Sequence, residues 1–179
     1  MKNKSFASYP IFYLIIFYLF LKVEPMFDKN KILYTFFNDD DFLRISEAIK
    51  KVESKTAGEI KISIKEKRDF SQRNKSLIEL ATIEFSRLQM NNTRDKTGIL
   101  LFLLLNEKKF YILADEGINK KVEQNVWDKI RDRMQSEFAR GHFTRGILLG
   151  INEVGKILSF HFPIKSDDVN ELSDKVEIN

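Results

Sequence analysis

The stretch FYILADEG at 110–117 sets Asp115 and Glu116 directly after an apolar run and directly before a glycine. Adjacent carboxylates at a strand end suit one of three tasks: holding a hard cation, orienting a water for hydrolysis, or ending the strand. Two more carboxylates stand at strand boundaries, Glu59 at the head of EIKISIK and Asp95 within NNTRDKTG. Glu59, Asp95, Asp115 and Glu116, helped by Asn92, Thr93 or main-chain carbonyls, would suit Ca2+ or Mg2+; Ca2+ takes about 6 to 8 oxygens at about 2.3–2.6 Å. Zinc is not expected, because the chain has no Cys and its only two histidines, His142 and His161, have no ligand spacing. The rival reading stays open at this stage: acids and glycine are ordinary strand terminators, Asp95 starts a turn, and Glu59 faces solvent or pairs with a lysine.

Whether the four can meet depends on the elements that carry them. EIKISIK at 59–65 alternates strictly, with Ile60, Ile62 and Ile64 inward and Glu59, Lys61, Ser63 and Lys65 outward or toward a polar layer. ILLFLLL at 99–105 is continuously apolar, as in a central strand covered on both faces, and residues 109–114 return after the turn Asn106–Lys108. A helix opens at Asp39 with Asp39, Asp40 and Asp41 first and Lys50, Lys51 and Lys55 near its end, matching the helix dipole. Further helices are expected at about 71–90, 119–139 and 144–161, the last ended by Pro163.

A helical crossover makes the first two strands parallel, and the short turn makes the third antiparallel to the second. The starts of strands one and two then share an end with the finish of strand three, where all four carboxylates fall. Gly117 is expected to adopt positive φ there, letting the chain turn past an ion. The other end carries Lys65, Lys67, Arg68, Lys108 and Lys109. It reads as a solvated basic loop or as a dock for a phosphate-bearing partner, without any glycine-rich phosphate loop. The order helix, strand, helix, strand, strand, helix, helix predicts an α/β fold: a three-layer α/β/α sandwich with a small mixed β-sheet flanked by helices.

Composition limits the function. Thirty basic against 26 acidic residues give a net charge of +4, with both signs interspersed, so no nucleic-acid partner is expected. The absence of Cys excludes thiol catalysis, and no Ser/His/Asp grouping or nucleophile elbow appears. Residues 5–21 carry no charge, and as a helix would span about 26 Å, close to a bilayer core. This predicts a hydrophobic segment at 1–25 serving as a single-pass membrane anchor, or a cytoplasmic chain if translation starts at Met26. Residues 26–38 read as a lead-in, 39–165 as the domain and 166–179 as a polar, acidic, loosely held tail.

Several stretches together resemble the TPM domain family in its short bacterial form. They are AIKKVESKTAGEIKISI at 48–64, MNNTRDKTGILLFL at 90–103, KFYILADEGINKKV at 109–122, Trp127, FARGHFTRGILLGINEVGKIL at 138–158, and Phe162-Pro163 followed by VNELSDKV. Ser173 stands where many relatives have Pro, which bears on the rigidity of the tail. The resemblance implies the fold strongly and the activity weakly. Some members look like acid phosphatases, others like calcium-binding or receptor-accessory modules, and photosynthetic relatives are linked to photosystem repair. Three functions are therefore expected in turn: a non-catalytic, membrane-tethered module binding a divalent cation through the four carboxylates; a metal-assisted phosphoesterase; and a protein-interaction scaffold using the tail.

Overall fold

The computed structural model describes residues 32–164, 166 and 172–179. After a single turn, α1 (Leu33–Phe36), the helix α2 (Asp39–Glu53) starts at a reciprocal cap. Asn38 Oδ1 accepts the Asp41 N–H at 2.9 Å and Asp41 Oδ2 accepts the Asn38 N–H at 3.0 Å, closing the first turn reciprocally. Leu33 and Phe37 are buried, so residues 32–38, expected as a lead-in, are part of the packed domain. Then follow β1 (Glu59–Lys65), α3 (Leu77–Arg87), β2 (Gly98–Leu104) and β3 (Lys109–Ala114). The helix α3 begins later than the apolar spacing suggests, because Ser76 and Glu79 form a second capping box and residues 70–72 make only one 3-10 turn. The chain continues through the short α4 (Glu116–Asn119), α5 (Gln124–Ala139), α6 (Phe143–His161) and β4 (Glu177–Ile178).

The sheet has the order β3-β2-β1-β4, with β1 parallel to β2 and β2 antiparallel to β3. Alternation along β1 assigns its two faces. Ile60, Ile62 and Ile64 join Ile99, Leu101 and Leu103 in a core covered by α2, α5 and α6, while Leu100, Phe102 and Leu104 pack on Leu80, Ala81 and Phe85 of α3. This is the three-layer α/β/α arrangement expected from the element order.

The tail differs from expectation. Residues 177–178 add a fourth strand parallel to β1, in the register Ser63↔Glu177 and Ile64↔Ile178. Asn179 extends the pairing, its N–H donating to the Ile64 carbonyl at 2.9 Å and its carbonyl accepting from Glu66 N–H at 3.1 Å. Beneath it lies the polar layer that β1 directs toward α3: Ser63 Oγ donates to Glu84 Oε1 at 2.7 Å, Arg87 grips the same carboxylate, and Asn179 Nδ2 donates to it at 3.1 Å. Burial alone would push the Glu84 carboxyl up, but the hydrogen bonds from Arg87 and Ser63 hold it below its ordinary value. Lys61 is 3% exposed; its ammonium donates to the Ser173 carbonyl and lies 3.8 Å from Glu177. The tail is held because it completes a buried polar network.

The expectation of a membrane location is corrected. Among the described residues no helix is long and apolar enough to cross a membrane. Even α6, with 19 residues, carries Arg145, Glu153 and Lys156. Residues 5–21, on which the expected anchor fell, lie outside the described residues.

Candidate functional site

The strand directions place the four expected carboxylates at one edge of the sheet, but their side chains do not close on one point. The segment Thr97–Gly98 divides them. Glu59 N–H donates to the Thr97 carbonyl at 3.2 Å on one side, and Asp115 N–H donates to the Gly98 carbonyl at 2.9 Å on the other. Glu59 and Asp115 thus flank β2 from opposite sides, with backbones about 10 Å apart at two strand spacings. Glu116 is 64% exposed on its side chain and lies 3.6 Å from Lys120. Asp95 lies 3.4 Å from Arg94. Among the described residues no group of three or more Asp, Glu or His side chains is arranged to hold a metal ion.

A smaller convergence survives around Gly117. The Asp95 loop does arch against it: a Cβ added at Gly117 would stand 2.4 Å from the Asp95 carbonyl oxygen and 2.6 Å from that of Lys96. Positive φ is not the reason for the glycine, since Gly141 is the only described glycine that adopts it; the close approach of two carbonyls is. Next to it, Asp115 caps α4 through Oδ1, which accepts the Glu116 N–H at 2.7 Å. Its Oδ2 is buried and has no hydrogen-bond partner among the described residues. Such an oxygen is costly to bury alone and suits a hard cation or a water. Gly117→Ala should therefore destabilise the domain by about 3 kcal/mol, because overpacked backbone cannot rotate aside as a side chain can. Thermal unfolding checks this, and an unchanged melting temperature would show that the 95–96 loop yields freely.

Glu59 has other company. It is buried beside Glu53, whose Oε1 accepts the Ile60 N–H at 2.6 Å along the outer edge of β1. Glu53 is pushed up to about 9, first by burial, then by a hydrogen bond to Asp174 and by the charges of Glu59 and Asp174, against the Ile60 N–H. Sequence reading missed this carboxyl cluster. Its signal was an acid on an apolar stripe, since Glu53 continues the i, i+4 row of Ile45 and Ile49.

The basic end is largely neutralised. Lys65 pairs with Asp69 at 2.7 Å, and Glu107 takes both Arg68 and Lys109. Chiefly Arg68, then Lys109, holds the Glu107 carboxyl down at about 2. Both histidines sit at the ends of α6: His142 occupies its N-cap position without a side-chain cap, its ring 3.2 Å from Glu137, and His161 closes the helix between Phe160 and Phe162. Trp127 is core, as its apolar stripe suggests, although its Nε1 is buried without a partner among the described residues.

A parallel β1–β2 pair closed by an antiparallel β3, layered between one helix and three, with an acidic edge at the β3–α4 junction, defines a small mixed α/β module. The chain belongs to the TPM domain family, whose model matches residues 33–157. It is similar to the BA42 protein of the psychrophilic bacterium Bizionia argentinensis, with 30% identity and a TM-score of 0.73 over 80% of this chain and 96% of that one. Two further solved structures share the fold. The N-terminal domain of a P. gingivalis protein has 16% identity and a TM-score of 0.59 over 71% of this chain and 79% of its own. The N-terminal domain of cg2496 from Corynebacterium glutamicum has 14% identity and a TM-score of 0.53 over 74% and 80%. No curated protein matches the chain significantly.

Proposed function

We propose that this TPM domain is a non-catalytic module that takes a divalent cation, Ca2+ or Mg2+, at the Asp115–Gly117 corner. The observation that carries the reading is the buried, unpartnered Asp115 Oδ2 beside the carbonyl-rich Asp95–Lys96 loop. This donor set fits a hard cation that tolerates carbonyl and water ligands, and does not fit zinc. Asp115 supplies the charge, the loop supplies neutral oxygens, and water completes the shell. Glu59 and Glu116 are left outside, one by its place across β2 and the other by its pairing with Lys120. With one carboxylate in place of four, affinity falls in the weak range, with Kd on the order of 10⁻⁴ to 10⁻³ M, as ligand charge count dictates.

Calcium titrated into isotope-labelled protein should give saturable amide shifts at 93–97 and 115–118. Asp115→Asn should abolish them, while Glu59→Gln should leave them in place. Shifts spread evenly over all acidic surfaces, or none by about 10 mM, would end the assignment. The phosphoesterase reading needs several carboxylates together to hold an ion and orient water, and among the described residues no group of three or more is so arranged. Metal-dependent hydrolysis of a phosphate monoester that disappears in Asp115→Ala would reinstate it.

A further inference from the structure

A groove of about 630 Å³ runs between α2 and α6. Its lining is mainly apolar, with Ala48 and Val52 from α2 and Leu148, Ile151 and Gly155 from α6, and includes the neutral polar Asn152 and Ser159. The two helices end side by side, where Thr56 pairs with Pro163. Gly155 lets them touch, since a Cβ there would stand 2.7 Å from Val52 Cγ2. Both rims are basic, with Lys51 on α2, Lys55 in the turn just past its end and Lys156 on α6, and among the described residues no acidic side chain lines the groove. Lys156 lies 2.8 Å from Glu153, whereas neither Lys51 nor Lys55 is paired with a carboxylate among the described residues. Cations near a helix C-terminus favour its dipole, which accounts for Lys51 and Lys55 at the end of α2 but not for the apolar strip beside them. Nor does it account for Phe160, 80% exposed at the groove's end.

We propose that this groove docks a short amphipathic helix of a partner protein, its apolar ridge on the floor and acidic side chains on both flanks. Length, charge and chemistry agree on that occupant. The helical part of the α2 wall from Ala48 to Glu53 runs about 8 Å and the α6 wall from Leu148 to Phe160 about 18 Å, between one and a half and about three helical turns. Apolar residues at i, i+3, i+4 and i+7 fill such a strip, and lysines on opposite walls match acids on both sides of the ridge. A single-chain lipid anion has one charge at one end, which only one rim could meet. Phe160 is the exposed aromatic anchor that such interfaces concentrate energy upon.

The probe is a synthetic helix with Leu at i, i+3, i+4 and i+7, Glu on both flanks and Ala elsewhere, titrated into the labelled full chain. Expected are amide shifts confined to 48–55 and 148–160, weakening with salt. Affinity should fall at least about tenfold in Lys51→Glu/Lys55→Glu and in Phe160→Ala, both exposed and tolerated by the fold. Equal binding of a Lys-flanked control peptide, unchanged affinity in the charge-reversed variant, shifts elsewhere, or no binding would each overturn the proposal. So would decanoate shifting these residues where the peptide does not, because the occupant would then be a lipid.

Discussion

Glu53→Gln is expected to stabilise the domain by about 2 kcal/mol at pH 8 and to flatten its pH dependence, the reverse of the usual result for a buried polar substitution. The folded state holds this carboxyl protonated, at about 9 against an ordinary 4.5, chiefly because burial disfavours its charge. The unfolded chain releases the proton above about 4.5. Between about 4.5 and 9 the native state therefore binds one proton more than the unfolded state, and stability falls as pH rises across that window. Each unit is worth about 1.4 kcal/mol for one proton, so the ceiling at pH 8 is roughly 5 kcal/mol. Relaxation around the site should bring the measured gain to less than half of this ceiling. Glutamine keeps both hydrogen bonds, accepting from Ile60 N–H and donating to Asp174, while removing the titration. Urea unfolding at pH 5, 6, 7 and 8 should show the two proteins converging at low pH and separating at high pH. A variant that is less stable at pH 8, or one with an unchanged slope, would refute protonation of Glu53. Glu84 acts in another window: its lowered carboxyl contributes stability above about 4.5 that is lost as pH falls through its folded value, in both proteins alike.

The residues that made β1 legible also show where legibility ended. Alternation in EIKISIK gives the strand, its two faces and its polar layer, because side chains alternate with period two. Connection lengths give the parallel and antiparallel pairings, and with them the shared edge of Glu59, Asp95, Asp115 and Glu116. A common edge is a statement about backbones. Where carboxylates point is decided by whichever hydrogen bond or cation each finds: the Glu116 N–H for Asp115, Lys120 for Glu116, Arg94 for Asp95. Those choices come from rotamers and neighbours that no spacing encodes. The four carboxylates thus share an edge of the sheet, and among the described residues no three of them are arranged around one point. Glu53 and Glu84 were visible as acids on apolar stripes, yet each reads as a solvated helix residue until the strand or tail it faces is known. The strand β4 was illegible for a related reason: two residues have no periodicity, and its order comes from Lys61, Glu84 and Arg87, all more than 85 positions away in the chain or buried under it.

Ending the chain after residue 171 is expected to cost about 3–5 kcal/mol, enough to unfold a domain whose whole stability is on the order of 5–15 kcal/mol. The loss has three sources. Lys61 would lose the Ser173 carbonyl and Glu177 while remaining under the sheet's polar layer, and Glu84 would lose Asn179. Leu172 and Val176 would no longer cover their clusters. The outer edge of β1 would be bare along Ser63–Glu66, a template for edge-to-edge association. Deleting the tail to look for a lost partner, as the scaffold reading suggests, would therefore report on folding first. Adding Lys61→Met to the shortened chain separates the causes. If a buried charge without its partner is the main penalty, the apolar isostere should restore roughly half of the lost stability, since replacing such a charge is often neutral or favourable. Chemical unfolding of the three proteins decides it: a shortened chain as stable as the full one would show that β4 only rests on the sheet, and an unrescued one would assign the loss to the strand pairing and the uncovered apolar residues.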